Sequence, residues 1–127
     1  MPYAFTGQKN PTMNSNCIFC RIIAGTAPAE IVYKDDQVIA FLNLHPIAPV
    51  HLLIVPLNHI ESVNTSETGD EPVMGHLITV ARQLAAENKI DQSGYRLVIN
   101  TGPDAGQSVF HLHLHLIGGR RIPYLVE

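Results

Sequence analysis

The segment VFHLHLHLIGG, residues 109–119, alternates histidine and leucine over six consecutive positions. Strict alternation does not suit a helix, where apolar residues return every three or four positions. It suits an extended strand, whose successive side chains point to opposite faces. Leu112, Leu114 and Leu116 then share one face and enter a core. His111, His113 and His115 share the other, with neighbours about 7 Å apart. A chain with this segment has to build a sheet. It must also find partners for three imidazoles if their face is covered, because buried polar groups are hydrogen-bonded.

The remaining patterns supply the rest of such a fold. CIFCRIIAG reads as a short helix stopped by Gly25, and EIVYKD (30–35) and QVIAFLN (37–43) as two strands joined at Asp35-Asp36, a hairpin. HPIAPV (45–50) is a rigid loop with two prolines, and HLLIVP (51–56) is a strand ended by Pro56. Residues 62–71 form a polar loop. Val73, Leu77, Val80, Ala81, Leu84 and Ala85 then recur at helical spacing, which predicts a long amphipathic helix over 72–89. YRLVIN (95–100) and HLHLHLIG (111–118) close the set of strands. Strands that mostly follow one another, interrupted by one long helix, predict an α+β fold with an antiparallel sheet. With 127 residues, 46% of them apolar, the chain suits one domain, expected over 17–127. The polar, Asn-rich stretch 1–16 is expected to be a flexible N-terminal extension.

Charge and hydropathy exclude some classes of function. A net charge of −3 argues against nucleic acid as a partner, since phosphate backbones require clustered Lys and Arg. No apolar run is long enough to span a membrane, and the N-terminus lacks the pattern of a secretory signal. The expected location is the cytoplasm.

Three roles fit the histidine face. It can be a half-exposed strand rich in histidine, a three-histidine catalytic metal site, or a nucleophilic centre in which one imidazole attacks and the others orient or move protons. A neutral imidazole attacks without a strong base, and on phosphorus it would leave a P–N intermediate that water can cleave. The preceding loop, NTGPDAGQSV, bears on the choice. Asn100, Gly102, Gly106, Gln107 and Ser108 place glycines and polar donors directly before the histidines, which suits a phosphate cradle beside a nucleophile. Cys17 and Cys20, the only cysteines, are spaced C-x-x-C, as in a metal site or a redox pair. Two thiolates alone do not complete a tetrahedral zinc site. His45 reads as a solvated loop histidine, and His76 as a surface or satisfied residue of the long helix.

HLHLHL (111–116), PIAPVHLLIVPLNHI (46–60), GYRLVINTGPDAGQSVFHLHLHLIGGR (94–120) and CIFCRIIAG together resemble the histidine-triad (HIT) superfamily over about residues 17–120. The GQSVFHLHLHLIGGR ending is most similar to its Hint-like branch of purine nucleoside phosphoramidases. The resemblance implies a HIT-like fold in which the sheet extends across a homodimer. It implies a nucleotide-binding hydrolase that cleaves the P–N bond of AMP- or GMP-amines through a nucleotidyl-histidine. Dinucleoside polyphosphate hydrolysis, or nucleotide binding without catalysis, is the alternative.

By position, the resemblance makes His113 the nucleophile, with His115, His51 and Ser108 as catalytic partners. Gly106, Gln107 and Ser108 would hold the phosphate, Asn100 would line the nucleotide site, and Ile22, Phe41 and Leu44 would sandwich the base. The family's aspartate for the ribose hydroxyls is Asn43 here. An amide cannot accept from both hydroxyls as a carboxylate does, which implies weaker or less selective ribose recognition. Relatives with the CIFC start also imply a structural zinc held by Cys17, Cys20, His59 and His111. No organic cofactor is implied.

Overall fold

The structure is a computed structural model and describes residues 13–123. A short helix α1 (Ile18–Ala24) leads into strands β1 (Ile31–Lys34), β2 (Val38–Leu42) and β3 (Val50–Pro56). Two single-turn 3-10 helices at Val63–Thr65 and Thr68–Asp70 precede the long helix α2 (Glu71–Glu87). Strand β4 (Tyr95–Val98), a third 3-10 turn at Pro103–Ala105 and strand β5 (Leu114–Gly118) follow. The strands form one sheet in the order β1-β2-β3-β5-β4, and every pairing is antiparallel, as the order of the elements predicts.

Helix α1 ends where expected, because Gly25 adopts φ 82°, a left-handed conformation that costs glycine little. Its N–H turns back to the carbonyls of Arg21 and Ile22. Of the extension expected at 1–16, residues 1–12 lie outside the described residues. Asn14 and Ser15 are tied to α1: the Asn14 carbonyl accepts from the Cys17 N–H (2.9 Å), and Arg21 donates to the Ser15 carbonyl (2.9 Å). No helix among the described residues is long and apolar enough to cross a membrane.

The sheet has a buried layer on each face. Leu77, Val80, Ala81, Leu84 and Ala85 of α2 pack on Val38, Ala40, Leu52, Ile54, Leu112, Leu114 and Leu116. On the opposite face, Phe19 and Ile22 of α1 pack with Cys17 and Cys20 on Ile39, Phe41, Leu53 and Val55. Central strands covered on both sides read as continuous apolar runs, which explains VIAF and LLIV in β2 and β3. The alternation of the 111–116 segment is therefore a choice between two interiors. The leucines face α2 and the histidines face α1.

The last strand is shorter than 111–118. Pairing with β3 begins at Leu114, opposite Ile54. The lead-in residues spend their hydrogen bonds elsewhere: the Leu112 N–H donates to the Ile60 carbonyl (2.6 Å), and the His111 imidazole takes the Pro56 carbonyl. A side chain has replaced the ladder bond that a strand would make there.

The β1–β2 hairpin is clamped to α2 through Asp35. Asp35 Oδ2 accepts from the Tyr33 hydroxyl (2.7 Å) and pairs with His76 Nε2 (2.6 Å), while Oδ1 accepts from the N–H groups of Gln37 and Val38. His76 is thus a satisfied helical residue. Burial raises the Asp35 pKa, but these donors outweigh it and hold the carboxyl at about 2, against 3.8 unperturbed. A depressed carboxylate stabilises the fold above its unfolded pKa, and that stabilisation is lost as pH falls through the folded value. Urea unfolding should show it: Asp35→Asn is expected to lose roughly 2 kcal/mol at pH 7. Its stability should also fall less than that of the parent as pH drops from about 4 to about 2. Equal acid sensitivity in the two proteins would remove Asp35 from this role.

Candidate active site and metal centre

Between α1, the end of β2 and the histidine face lies a cleft of about 260 Å³. Ile22 and Phe41 form its apolar wall, Leu44 and Asn43 stand at the end of β2, and Ser108, His113 and His115 close the other side. Leu44 is 80% exposed, an apolar side chain at the rim that the described residues leave largely uncovered. The sequence reading missed Phe19, Pro28, Ala29, Leu53 and Val109, which also line the cleft. Only the packing of α1 and its following loop on the sheet reveals them.

His113 is buried, and its Nδ1 lies 2.7 Å from the His111 carbonyl. A carbonyl only accepts, so Nδ1 carries the proton and Nε2 keeps its lone pair. Burial holds this imidazole below the usual histidine range, against the opposing effect of that hydrogen bond. A ring kept neutral with a bare Nε2 is the form a nucleophile needs. Phe19 packs edge-on against it at 5.1 Å and fixes its plane.

His51 meets His115 rather than His113. Its Nε2 is 2.9 Å from His115 Nδ1, and the His115 ring in turn lies 5.0 Å from the His113 ring, tilted by 59°. Burial and the adjacent His113 and His51 push His115 down to about 4, and burial also lowers His51. His115 Nε2 is buried and has no hydrogen-bond partner among the described residues. An orphaned polar atom beside a cleft is a place for a ligand.

The loop before the histidines is arranged differently from the expected cradle. Gln107 is buried and fully engaged: its Oε1 accepts from the Gly102 N–H (2.8 Å), and its Nε2 donates to the carbonyls of Glu61 and Val109. Its side chain braces the loop. Asn100 and Gly106 are not among the residues lining the cleft, whereas Ser108 is. The Asn43 Oδ1 accepts from the His45 N–H (2.8 Å), and its Nδ2 lies 3.2 Å from His51 Nε2.

Behind the nucleophile, Cys17, Cys20, His59 and His111 bring four ligand atoms within 4.8 Å of one another. Cys17 Sγ and Cys20 Sγ are 3.4 and 3.6 Å from His111 Nδ1, and Cys20 Sγ is 3.3 Å from His59 Nδ1. Zinc with Zn–S of about 2.3 Å and Zn–N of about 2.0 Å sets tetrahedral ligand atoms roughly 3.3–3.8 Å apart, so these spacings fit. His111 Nε2 donates to the Pro56 carbonyl (2.8 Å), which leaves Nδ1 bare toward the thiols, as a metal-ligating imidazole requires. Among the described residues this quartet is the one group of three or more such side chains close enough to hold an ion. The three triad histidines do not form one.

Comparison with known proteins agrees with this geometry. The family model described as HIT domain matches residues 24–122. A purine nucleoside phosphoramidase of Escherichia coli is 44% identical over 108 residues, covering 85% of this chain and 91% of that protein. A HIT family hydrolase of Legionella pneumophila superposes with a TM-score of 0.85 at 40% identity, over 87% of this chain and 98% of that one. A zinc-bound histidine triad family protein of Mycobacterium smegmatis superposes at 0.74 with 28% identity, over 84% and 76% of the two chains. The chain belongs to the HIT family and is an enzyme of the HIT hydrolases.

Proposed function

We propose that this enzyme hydrolyses the P–N bond of purine nucleoside phosphoramidates through a nucleotidyl-histidine. The observation that carries the reading is the bare Nε2 of buried His113 beside the unpartnered Nε2 of His115, both on residues lining an apolar-walled cleft. His113 Nε2 attacks phosphorus, and the P–N bond to the amine breaks. The amine takes up a proton from solvent and leaves, with His115 Nε2–H hydrogen-bonded to the departing group. Water then cleaves the new P–N bond to release the nucleotide and restore neutral His113. Ile22, Phe41 and Leu44 offer apolar contact to a base, and Asn43 and Ser108 offer polar contact to ribose and phosphate. Asn100, Gly106 and Gln107 support the loop that carries Ser108. His51 acts through His115.

Cys17, Cys20, His59 and His111 would hold a structural zinc. Four protein ligands close a zinc site, so the ion would brace the fold and activate no water. In the described chain β4 is an edge strand, and pairing with a second copy there would satisfy its free backbone groups and extend the sheet into a homodimer. We place the enzyme in the cytoplasm.

Rates measured side by side on adenosine phosphoramidate, guanosine phosphoramidate and a diadenosine polyphosphate test the reading. The phosphoramidates are expected to be faster by at least about tenfold in kcat/KM. A faster diadenosine polyphosphate would assign dinucleoside polyphosphate hydrolysis instead.

A further inference from the structure

The hydrogen bonds around His51 determine more than its position. The Ile47 backbone N–H lies 3.2 Å from His51 Nδ1, and a backbone N–H can only donate. His51 Nδ1 is therefore bare, and the neutral ring carries its proton on Nε2. That proton has two neighbours, His115 Nδ1 at 2.9 Å and Asn43 Nδ2 at 3.2 Å. The amide nitrogen is itself a donor and cannot take it. Turning the amide over would not help, since Nδ2 would then face the His45 N–H, which Oδ1 now accepts at 2.8 Å. His115 Nδ1 is thus the acceptor, and the proton of His115 is left on Nε2, the buried atom with no partner.

We propose that Asn43 is a positioning residue: its Nδ2 beside His51 Nε2 is a donor that cannot accept, which leaves His115 Nδ1 to take the His51 proton and keeps the pair neutral, with His115 Nε2–H offered to the substrate. A carboxylate at 43 would act in the opposite sense. One oxygen would keep the His45 N–H, and the other would compete for the His51 proton and favour a cationic ring.

The other groups facing the pair do not reverse this. The β2–β3 loop presents His45, which lines the cleft and whose N–H is held by Asn43 Oδ1, and the Ile47 peptide, whose carbonyl accepts from Arg120 (2.8 Å). Strand β5 and its lead-in present His113 and His115, and the α1 residues lining the cleft are Ile18, Phe19 and Ile22. No carboxylate lines the cleft among the described residues. The low pKa that burial imposes on both imidazoles agrees with a neutral pair.

The consequence for catalysis deepens the phosphoramidase reading and rests on it; the protonation pattern itself does not. Long-range ¹H–¹⁵N correlation of the ¹⁵N-labelled full chain reads that pattern without substrate. At pH 7 the parent is expected to show protonated Nε2 and bare Nδ1 in both His51 and His115. In Asn43→Asp, an isosteric change, the His51 titration midpoint should rise by at least about one pH unit. In a parallel assay, kcat/KM of that variant on adenosine phosphoramidate should gain a pH dependence that the parent lacks over the same range. Protonated Nδ1 on His51 in the parent, or an unmoved His51 midpoint in Asn43→Asp, would overturn the proposal. Failure of the parent to cleave any phosphoramidate, with the nitrogen pattern as expected, would overturn the proposed reaction and leave the role of Asn43 standing.

Discussion

His113→Ala is expected to lower kcat on an adenosine phosphoramidate by on the order of a thousandfold or more, with KM changed far less. The imidazole sits under the cleft with its lone pair fixed by the His111 carbonyl and its plane fixed by Phe19. Removing it leaves the apolar wall of Ile22 and Phe41 to bind nucleotide and leaves nothing to attack phosphorus. The split between kcat and KM separates this from general damage to the cleft, which would raise KM as well. Mass spectrometry after rapid mixing supplies a second readout: the parent should gain the mass of one nucleotidyl group, and the variant none. A variant that keeps full turnover sinks the nucleotidyl-histidine, whatever the overall reaction.

How far such a site can be read from the chain depends on the distance over which its parts interact. The period of two in HLHLHL assigns each side chain to a face before any partner is known, and the structure puts the leucines against α2 and the histidines against α1. Gly25 ends α1 for a local reason, its left-handed φ, so that end was legible too. Whatever depends on a remote carbonyl or amide was not. The start of β5 moved to Leu114 because His111 reaches Pro56, 55 residues away. Gln107 has the chemistry of a phosphate donor, but the carbonyl of Glu61 takes one of its N–H groups from across the fold. His76 reads as an ordinary helical histidine until the hairpin brings Asp35 to it. Composition shows which groups can hydrogen-bond; only the packed chain shows which are already spent.

Cys20→Ser should abolish zinc binding and cost several kcal/mol of stability, a fall in Tm on the order of 10 °C. Parent protein purified without chelator should carry close to one zinc per chain by elemental analysis; under about 0.2 equivalents, with both thiols free, would refute the site. The size of the effect follows from what the quartet joins. Cys17 and Cys20 belong to the start of α1, His59 follows β3, and His111 leads into β5, so one ion would tie three segments far apart in the chain. Without it, two buried thiols and two imidazoles remain in an apolar layer whose burial already pushes the Cys20 thiol upward. Phe19 lies between the two cysteines and touches both the His111 and His113 rings, at 5.8 and 5.1 Å. Loosening α1 therefore reaches the nucleophile through packing, and kcat in Cys20→Ser is expected to fall by about tenfold, far less than in His113→Ala. A zinc-activated water would predict the reverse ranking, with loss of the metal as damaging as loss of the imidazole. Brief treatment of the folded parent with a chelator distinguishes the two directly: turnover should persist while α1 stays docked, and immediate loss in step with zinc release would make the ion catalytic.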